Sequence, residues 1–223
     1  ECVKGAYEGT FEQNAPAPLV PLTDGVSVLE LWHGPTCAFK DMALQLLPHL
    51  LIRAARKISS ASTTVILVAT SGDTGKAALE GFKNVEGTKI LVFYPHDGVS
   101  DMQKLQMTTQ EGDNVAVCAV EGNFDDAQTG VKRIFTDADM AGRLAAGDMA
   151  FSSANSINWG RLVPQIVYYI SAYVDLVQQR RIVLGDPINV VVPTGNFGNI
   201  LAGYYAKQMG LPIRKFICAS NAN

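Results

Sequence analysis

The sequence is short of the features that mark several functional classes. Only 17% of its 223 residues are charged, 18 Lys+Arg against 21 Asp+Glu, and no basic block occurs. That excludes nucleic-acid binding by phosphate neutralisation, which needs a basic face. The acid excess is local: residues 101–150 hold nine acids and four bases, which reads as a solvated acidic face. The three histidines (His33, His49, His96) form no H-x-x-x-H, and the four cysteines (Cys2, Cys37, Cys118, Cys218) form no C-x-x-C. A metal centre is therefore not expected. Cys118 and Cys218 lie in apolar, strand-like runs and are expected as reduced core thiols rather than disulfide partners. Long apolar runs are missing too. The candidates at Val65–Ala69 and Ile90–Phe93 have strand length, far short of the roughly 18 residues of a membrane span. With no signal-peptide pattern, the cytosol is the expected compartment. The first residue is Glu1 rather than methionine and the last follows an apolar run closely, so a longer natural chain is expected.

What is present is a globular composition, 48% hydrophobic, in which short β-branched runs alternate with helical patterns. Strands are expected at Thr63–Ala69, Lys89–Tyr94, Val115–Val120, Asn189–Val192 and Arg214–Ala219. Their near-continuous apolarity is that of buried parallel strands. Helices are expected at about 74–84, 101–110, 124–136, 161–178 and 199–209. Another should run from Lys40 to Lys57, kinked or split by Pro48. The Pro-rich piece Ala15–Pro21 reads as a surface approach segment. The fold class is α/β, with open, mostly parallel sheets flanked by helices.

Ligands in such folds bind beyond the carboxyl ends of the strands, where loops feed helix N-termini. Two loops have the small-residue composition for it. Thr70-Ser71-Gly72-Asp73-Thr74-Gly75 follows VILVA, and Pro193-Thr194-Gly195-Asn196-Phe197-Gly198-Asn199 follows NVVV. Each lets backbone N–H groups converge on an anion, assisted by the helix dipole. Glycines at strand–helix turns also occur simply to turn the chain. A P-loop fails at two positions, since Thr70 stands where glycine is needed and Ala77 where Ser or Thr is needed. The second loop contains no Lys or Arg, so a phosphate there rests on backbone amides, which suits a tightly held cofactor.

Lys40 is out of place. It stands at a helix start, where a cation opposes the macrodipole, among Ala38, Phe39, Met42, Ala43 and Leu44. A snorkelling surface lysine is the ordinary alternative. The functional reading is an amine kept neutral to attack a carbonyl. At an unperturbed pKa of ~10.4, about one amine in 2,500 is free at pH 7. Bringing that pKa near 7 costs the charged form about 4–5 kcal/mol, of which a helix end supplies at most about 2, so desolvation must supply the rest. A carbonyl-binding lysine plus an amide-lined phosphate loop is what pyridoxal phosphate requires.

The stretches HGPTCAFKD, ATSGDTGKAA, YPHDGVSDMQKLQM, EGNFDDAQ, SSANSINWGRLVPQ, PTGNFGN and GLPIRKFICASNAN carry a family resemblance. From about Gly25 onward the chain resembles threonine synthase, a fold-type II pyridoxal-phosphate family. The resemblance implies a two-domain architecture, with a smaller α/β domain over residues 60–153. Residues 1–59 and 154–223 then belong to a larger domain that is incomplete at its C-terminal side. It implies that Lys40 bonds the cofactor and that Gly195, Asn196, Phe197, Gly198 and Asn199 hold its phosphate. Ser71, Gly72, Asp73 and Thr74 would bind the substrate carboxylate beside the cofactor ring; many fold-type II relatives have asparagine where Asp73 stands. The implied reaction takes O-phosphohomoserine and water to threonine and inorganic phosphate. Its leaving phosphate needs donors, for which Ser153, Asn155, Ser156, Asn158 and Arg161 form a compact polar run, with Lys104 a second candidate. Either a monomer or a homodimer is consistent with this. The rival readings are a related phospho-lyase giving 2-oxobutyrate and a non-catalytic fold-type II homologue.

Overall fold

The computed structural model describes residues 1–12, 15–58, 63–193 and 197–220. Along the chain the elements are α1 (Cys2–Tyr7), β1 (Leu19–Thr23), β2 (Val26–Leu29), α2 (Asp41–Leu44), α3 (Leu47–Lys57) and β3 (Thr63–Ala69). There follow α4 (Asp73–Phe82), β4 (Thr88–Pro95), α5 (Asp101–Thr108), β5 (Val115–Val120), α6 (Phe124–Thr136) and α7 (Ala138–Ala146). The last are β6 (Met149–Ser153), α8 (Trp159–Gln178), β7 (Ile188–Val192), α9 (Gly198–Gln208) and β8 (Ile213–Cys218).

A four-stranded sheet in the order β5-β4-β3-β6 is parallel throughout. The twofold alternation of β3 builds its two cores. Ile66 and Val68 pack with Leu44, Leu47, Leu79, Phe82 and Met107 from α2 to α5. Val65, Leu67 and Ala69 pack with Ala127 and Val131 of α6, flanked by Leu144 of α7. Full burial of side chains such as Phe82 and Leu44 contributes about 1.5–3 kcal/mol each. Strands β7 and β8 form a second, two-stranded parallel sheet, and β1 and β2 an antiparallel hairpin. Around them lies a third core, with Met42, Leu162, Ile166, Tyr168, Tyr169, Ala202 and Ala206. The α/β class with mostly parallel sheets is therefore what the sequence predicts, the hairpin being the antiparallel exception.

Pro48 divides the expected 40–57 helix. It occupies the first turn of α3, where its missing N–H has no intrahelical partner to lose, and α2 ends at Leu44. Helix α4 comes close enough to α2 that a Cβ on Gly81 would sit 2.2 Å from Leu44 O. That contact joins the first-loop helix to the helix that begins just after Lys40.

Two expectations are corrected. Cys118 and Cys218 are exposed, not core thiols. Strand β5 is an edge strand, and although Cys118, paired with Phe93, is on the sheet face that α6 packs against, it remains exposed there. On β8, Cys218 likewise falls at an exposed position. The Pro-rich segment lies at the surface as expected, with Leu19–Pro21 forming the start of β1.

Candidate active site

Three strand ends converge on the N-terminus of α2. Ser71 and Gly72 lie in the loop after β3, with Asp73 and Thr74 opening α4; the stretch from the end of β6 into α8 carries Ser153–Arg161, and the segment after β7 leads into α9. This is the carboxyl edge at which parallel α/β folds bind ligands.

Lys40 is the N-cap residue of α2. Its Nζ lies 3.3 Å from Asp73 Oδ2, with the side chain 17% exposed. The same nitrogen stands over the Phe39 ring, 4.5 Å from its centroid. Burial pulls the Lys40 ammonium below its ordinary value; the Asp73 carboxylate opposes this, the Arg161 charge reinforces it, and Asp41 opposes it weakly. For Asp73, burial pushes the carboxyl up, but the Gln103 amide and the Lys40 charge outweigh it, and the group sits below the usual range. The turn that presents Lys40 is latched by Asp41, which is fully buried. Asp41 Oδ2 accepts from Thr36 N at 2.8 Å and Oδ1 from Thr36 Oγ1 at 2.6 Å.

Ahead of α4, the buried Thr70 hydroxyl accepts from Gly72 N at 3.0 Å and Gly75 N at 2.9 Å. Ser71 is exposed and Thr74 half-buried. Lys76, next along the helix, pairs with Glu80 at 3.6 Å and donates to Gln110, so it does not serve an anion at the loop.

In the loop after β6, most polar atoms are used internally. The Asn155 amide pairs with both backbone groups of Ala69, donating to its O at 2.9 Å and accepting from its N at 3.3 Å. Asn158 caps α8 through Gly160 N at 2.9 Å and donates to Ser153 O at 2.7 Å. The Ser153 hydroxyl accepts from Asn155 N at 3.1 Å. Arg161 is 5% exposed. Its guanidinium donates to Ala154 O at 2.9 Å and to Thr74 Oγ1 at 3.4 Å, and no carboxylate pairs with it among the described residues. Burial pulls it down to about 10, so it remains charged at neutral pH.

Of the second loop, Gly195 and Asn196 lie outside the described residues. Phe197 adopts a left-handed conformation, φ 60°, as the N-cap of α9, and its side chain is exposed. Among the described residues no side chain caps α9, and no acid occupies its first turn, a helix end suited to an anion. Asn199 is buried, and its backbone O accepts from the Tyr169 hydroxyl at 2.7 Å. Burial pushes that phenol up to about 12. A Cβ on Gly198 would lie 3.5 Å from Ser156 Oγ, so this loop abuts the loop after β6.

Lys40, Asp73, Tyr169, Pro193 and Asn199 line one cavity of about 1360 Å³. It exceeds the roughly 300–1,000 Å³ of a single small-ligand site. Ser153, Asn155, Asn158 and Arg161 are not part of its lining. The residue missing from the sequence reading is Gln103, whose amide donates to Asp73 Oδ1 at 2.7 Å. The S-x-x-Q spacing of a capping box, Ser100 to Gln103, was its visible signal.

A desolvated lysine and a helix N-terminus without a side-chain cap among the described residues border one cavity, a pairing that suits a cofactor carrying a carbonyl and a phosphate, as pyridoxal phosphate does. Comparison with known proteins agrees. The family described as "Pyridoxal-phosphate dependent enzyme" matches residues 12–223, and the chain belongs to that family. Its cofactor is pyridoxal phosphate. "Threonine synthase-like 1" of Homo sapiens is 50% identical over 229 aligned residues, covering 100% of this chain and 30% of that protein. Threonine synthase of Pseudomonas aeruginosa is 48% identical over 217 residues, covering 96% of this chain and 43% of that protein. The crystal structure of pyridoxal-phosphate-bound threonine synthase from Brucella melitensis superimposes with a TM-score of 0.84 at 44% identity, covering 99% of this chain and 45% of that one. The architecture is that of the fold-type II pyridoxal-phosphate enzymes. The chain spans less than half the length of these relatives.

Proposed function

We propose that this chain supplies the cofactor lysine and most of the substrate site of an enzyme that converts O-phosphohomoserine and water to threonine and phosphate. Residues 60–153 serve as its smaller domain, and residues 1–59 and 154–223 as part of the larger one. The observation that carries the reading is Arg161, a buried guanidinium with two neutral acceptors, close enough to Lys40 for its charge to act on that amine. A buried cation without a carboxylate is costly, and a bound dianion offsets that cost.

Bound at this site, pyridoxal phosphate supplies the electron sink for carbanion chemistry. Lys40 bonds it, and the backbone amides over Gly195, Asn196, Phe197, Gly198 and Asn199 hold its phosphate. Phe197 contributes only main chain, since its side chain points to solvent. The Lys40 amine moves the protons at the substrate Cα and Cβ. Ser71, Gly72 and Thr74 bind the substrate carboxylate, in the loop they share with Asp73. Because Asp73 is itself anionic, its role there is to hold Lys40 rather than to contact that carboxylate. Arg161 takes the phosphate that leaves Cγ, steadied by the Thr74 hydroxyl. Ser153 and Ser156 are its neighbouring hydroxyl donors, and Asn155 and Asn158 hold the loop in shape through Ala69 and Ser153.

A phospho-lyase giving 2-oxobutyrate would use the same groups. Product analysis separates them. The whole protein with O-phosphohomoserine should release threonine and phosphate in equal amounts. Stoichiometric 2-oxobutyrate would replace our reading with the phospho-lyase one.

A further inference from the structure

Asp73 has two oxygens and, among the described residues, two side-chain donors. Oδ2 faces Lys40 Nζ at 3.3 Å, and Oδ1 accepts from Gln103 Nε2 at 2.7 Å. Gln103 lies in the first turn of α5, beside the loop after β3, and its amide can be oriented in only one way. Its Oε1 accepts from Ser100 N at 3.3 Å and Ser100 Oγ at 3.1 Å. Turning the amide over would set its NH₂ against the Ser100 N–H and its oxygen against a carboxylate. Next to it the backbone has been pared to glycine. A Cβ on Gly72 would lie 2.4 Å from Gln103 Cδ and Nε2, and Gly72 has φ 143°, a conformation that side chains rarely adopt. Asp73 is 47% exposed, so without this partner water would compete for its carboxylate.

We infer that Gln103 is a positioning residue: seated beside Gly72 and fixed by Ser100, its amide aims the Asp73 carboxylate at Lys40 Nζ. Lys40 is a partner that changes. Whenever the amine sheds its proton, the ion pair with Asp73 is lost. The Gln103 donor does not titrate, so it keeps the carboxylate in register through both states of the lysine. The charged groups that act on Lys40 are Asp73, Arg161 and Asp41, and of these only Asp73 is held by Gln103. The consequence for catalysis rests on the proposed function, because it takes Lys40 as the amine that moves protons.

The test reads the amine itself. In the whole protein stripped of cofactor, competitive acetylation followed by mass spectrometry gives the titration of Lys40. Gln103→Met should lower its apparent pKa by about 0.5–1 pH unit, as the carboxylate drifts from contact to water-separated distance. Asp73→Asn should also lower it, and adding Gln103→Met to that variant should move it by less than about 0.2 unit. Gln103→Asn, which stays polar but lacks the reach, should shift it in the same direction as Met and serves if the Met variant does not fold. An unmoved titration in the single variants, or an equal shift with and without the Asp73 carboxylate, would overturn the inference. Borohydride labelling reports separately on the cofactor bond. A label on another lysine would refute the proposed role of Lys40 while leaving the titration to judge Gln103.

Discussion

Replacing Arg161 by methionine should remove phosphate binding while leaving the fold nearly as stable as before. The side chain is 5% exposed and donates only to Ala154 O and Thr74 Oγ1. Replacing a buried ion by an apolar side chain of similar length relieves the ion's desolvation penalty, which is effectively several kcal/mol. Against that stand the orphaned Ala154 carbonyl and Thr74 hydroxyl, at about 1–3 kcal/mol each. The two effects are of similar size, so the melting temperature should move by only a few degrees. Phosphate affinity behaves differently, because each charge-assisted hydrogen bond lost removes about 1.5–3 kcal/mol, roughly 10- to 150-fold. The assay is thermal unfolding of the cofactor-loaded whole protein against rising inorganic phosphate. At 100 times its Kd, phosphate should stabilise the parent by about 2.7 kcal/mol and the variant by about 1.4 kcal/mol or less. Equal phosphate stabilisation in both proteins would refute the assignment. A large loss of stability without phosphate would show that Arg161 is a structural residue instead.

Two further outcomes follow from the geometry. Gly81→Ala places a Cβ 2.2 Å from Leu44 O, backbone that has little room to yield, and should destabilise by about 1–3 kcal/mol in urea unfolding; a neutral result would show that α2 and α4 are not locked together. The His33 imidazolium is held above its ordinary value by the Glu30 carboxylate at 2.7 Å, with burial opposing and Glu12 adding. Its contribution to stability is thus complete below the unfolded pKa near 6.5 and fades as pH rises through the higher folded value. The stability of His33→Gln should depend less on pH across that range, and an unchanged pH profile would exclude the Glu12–His33–Glu30 cluster as its source.

Much of this arrangement was legible in the sequence because the parallel strands announce themselves. Thr63–Ala69 and Val115–Val120 read as unbroken apolar runs and form strands at those residues. The same signal misled at Cys118, since an apolar edge strand looks like a central one until its neighbours are known. Strand β6 and helix α7 escaped notice. MAFSS is half polar because its end turns into the site, and ADMAGRLAA carries a mid-helix glycine. At the site, Lys40 stood out as a cation at a helix start among apolar neighbours. Arg161 stood out by its polar setting, but its burial against Ala154 and Thr74 required the fold. The capping-box spacing marks Gln103 at a helix start, but its tie to the site does not show in its neighbours. Its partner is 30 residues away, and only the packing of α5 against α4 brings the amide to Asp73.

The account depends most on Lys40 being the residue that bonds the cofactor. Borohydride reduction of the cofactor-loaded whole protein, followed by peptide mapping, tests this directly. The account predicts a pyridoxyl label on the peptide that contains Phe39-Lys40-Asp41, and its loss in Lys40→Ala. A label on Lys76 or Lys104, or one that persists in Lys40→Ala, would contradict it.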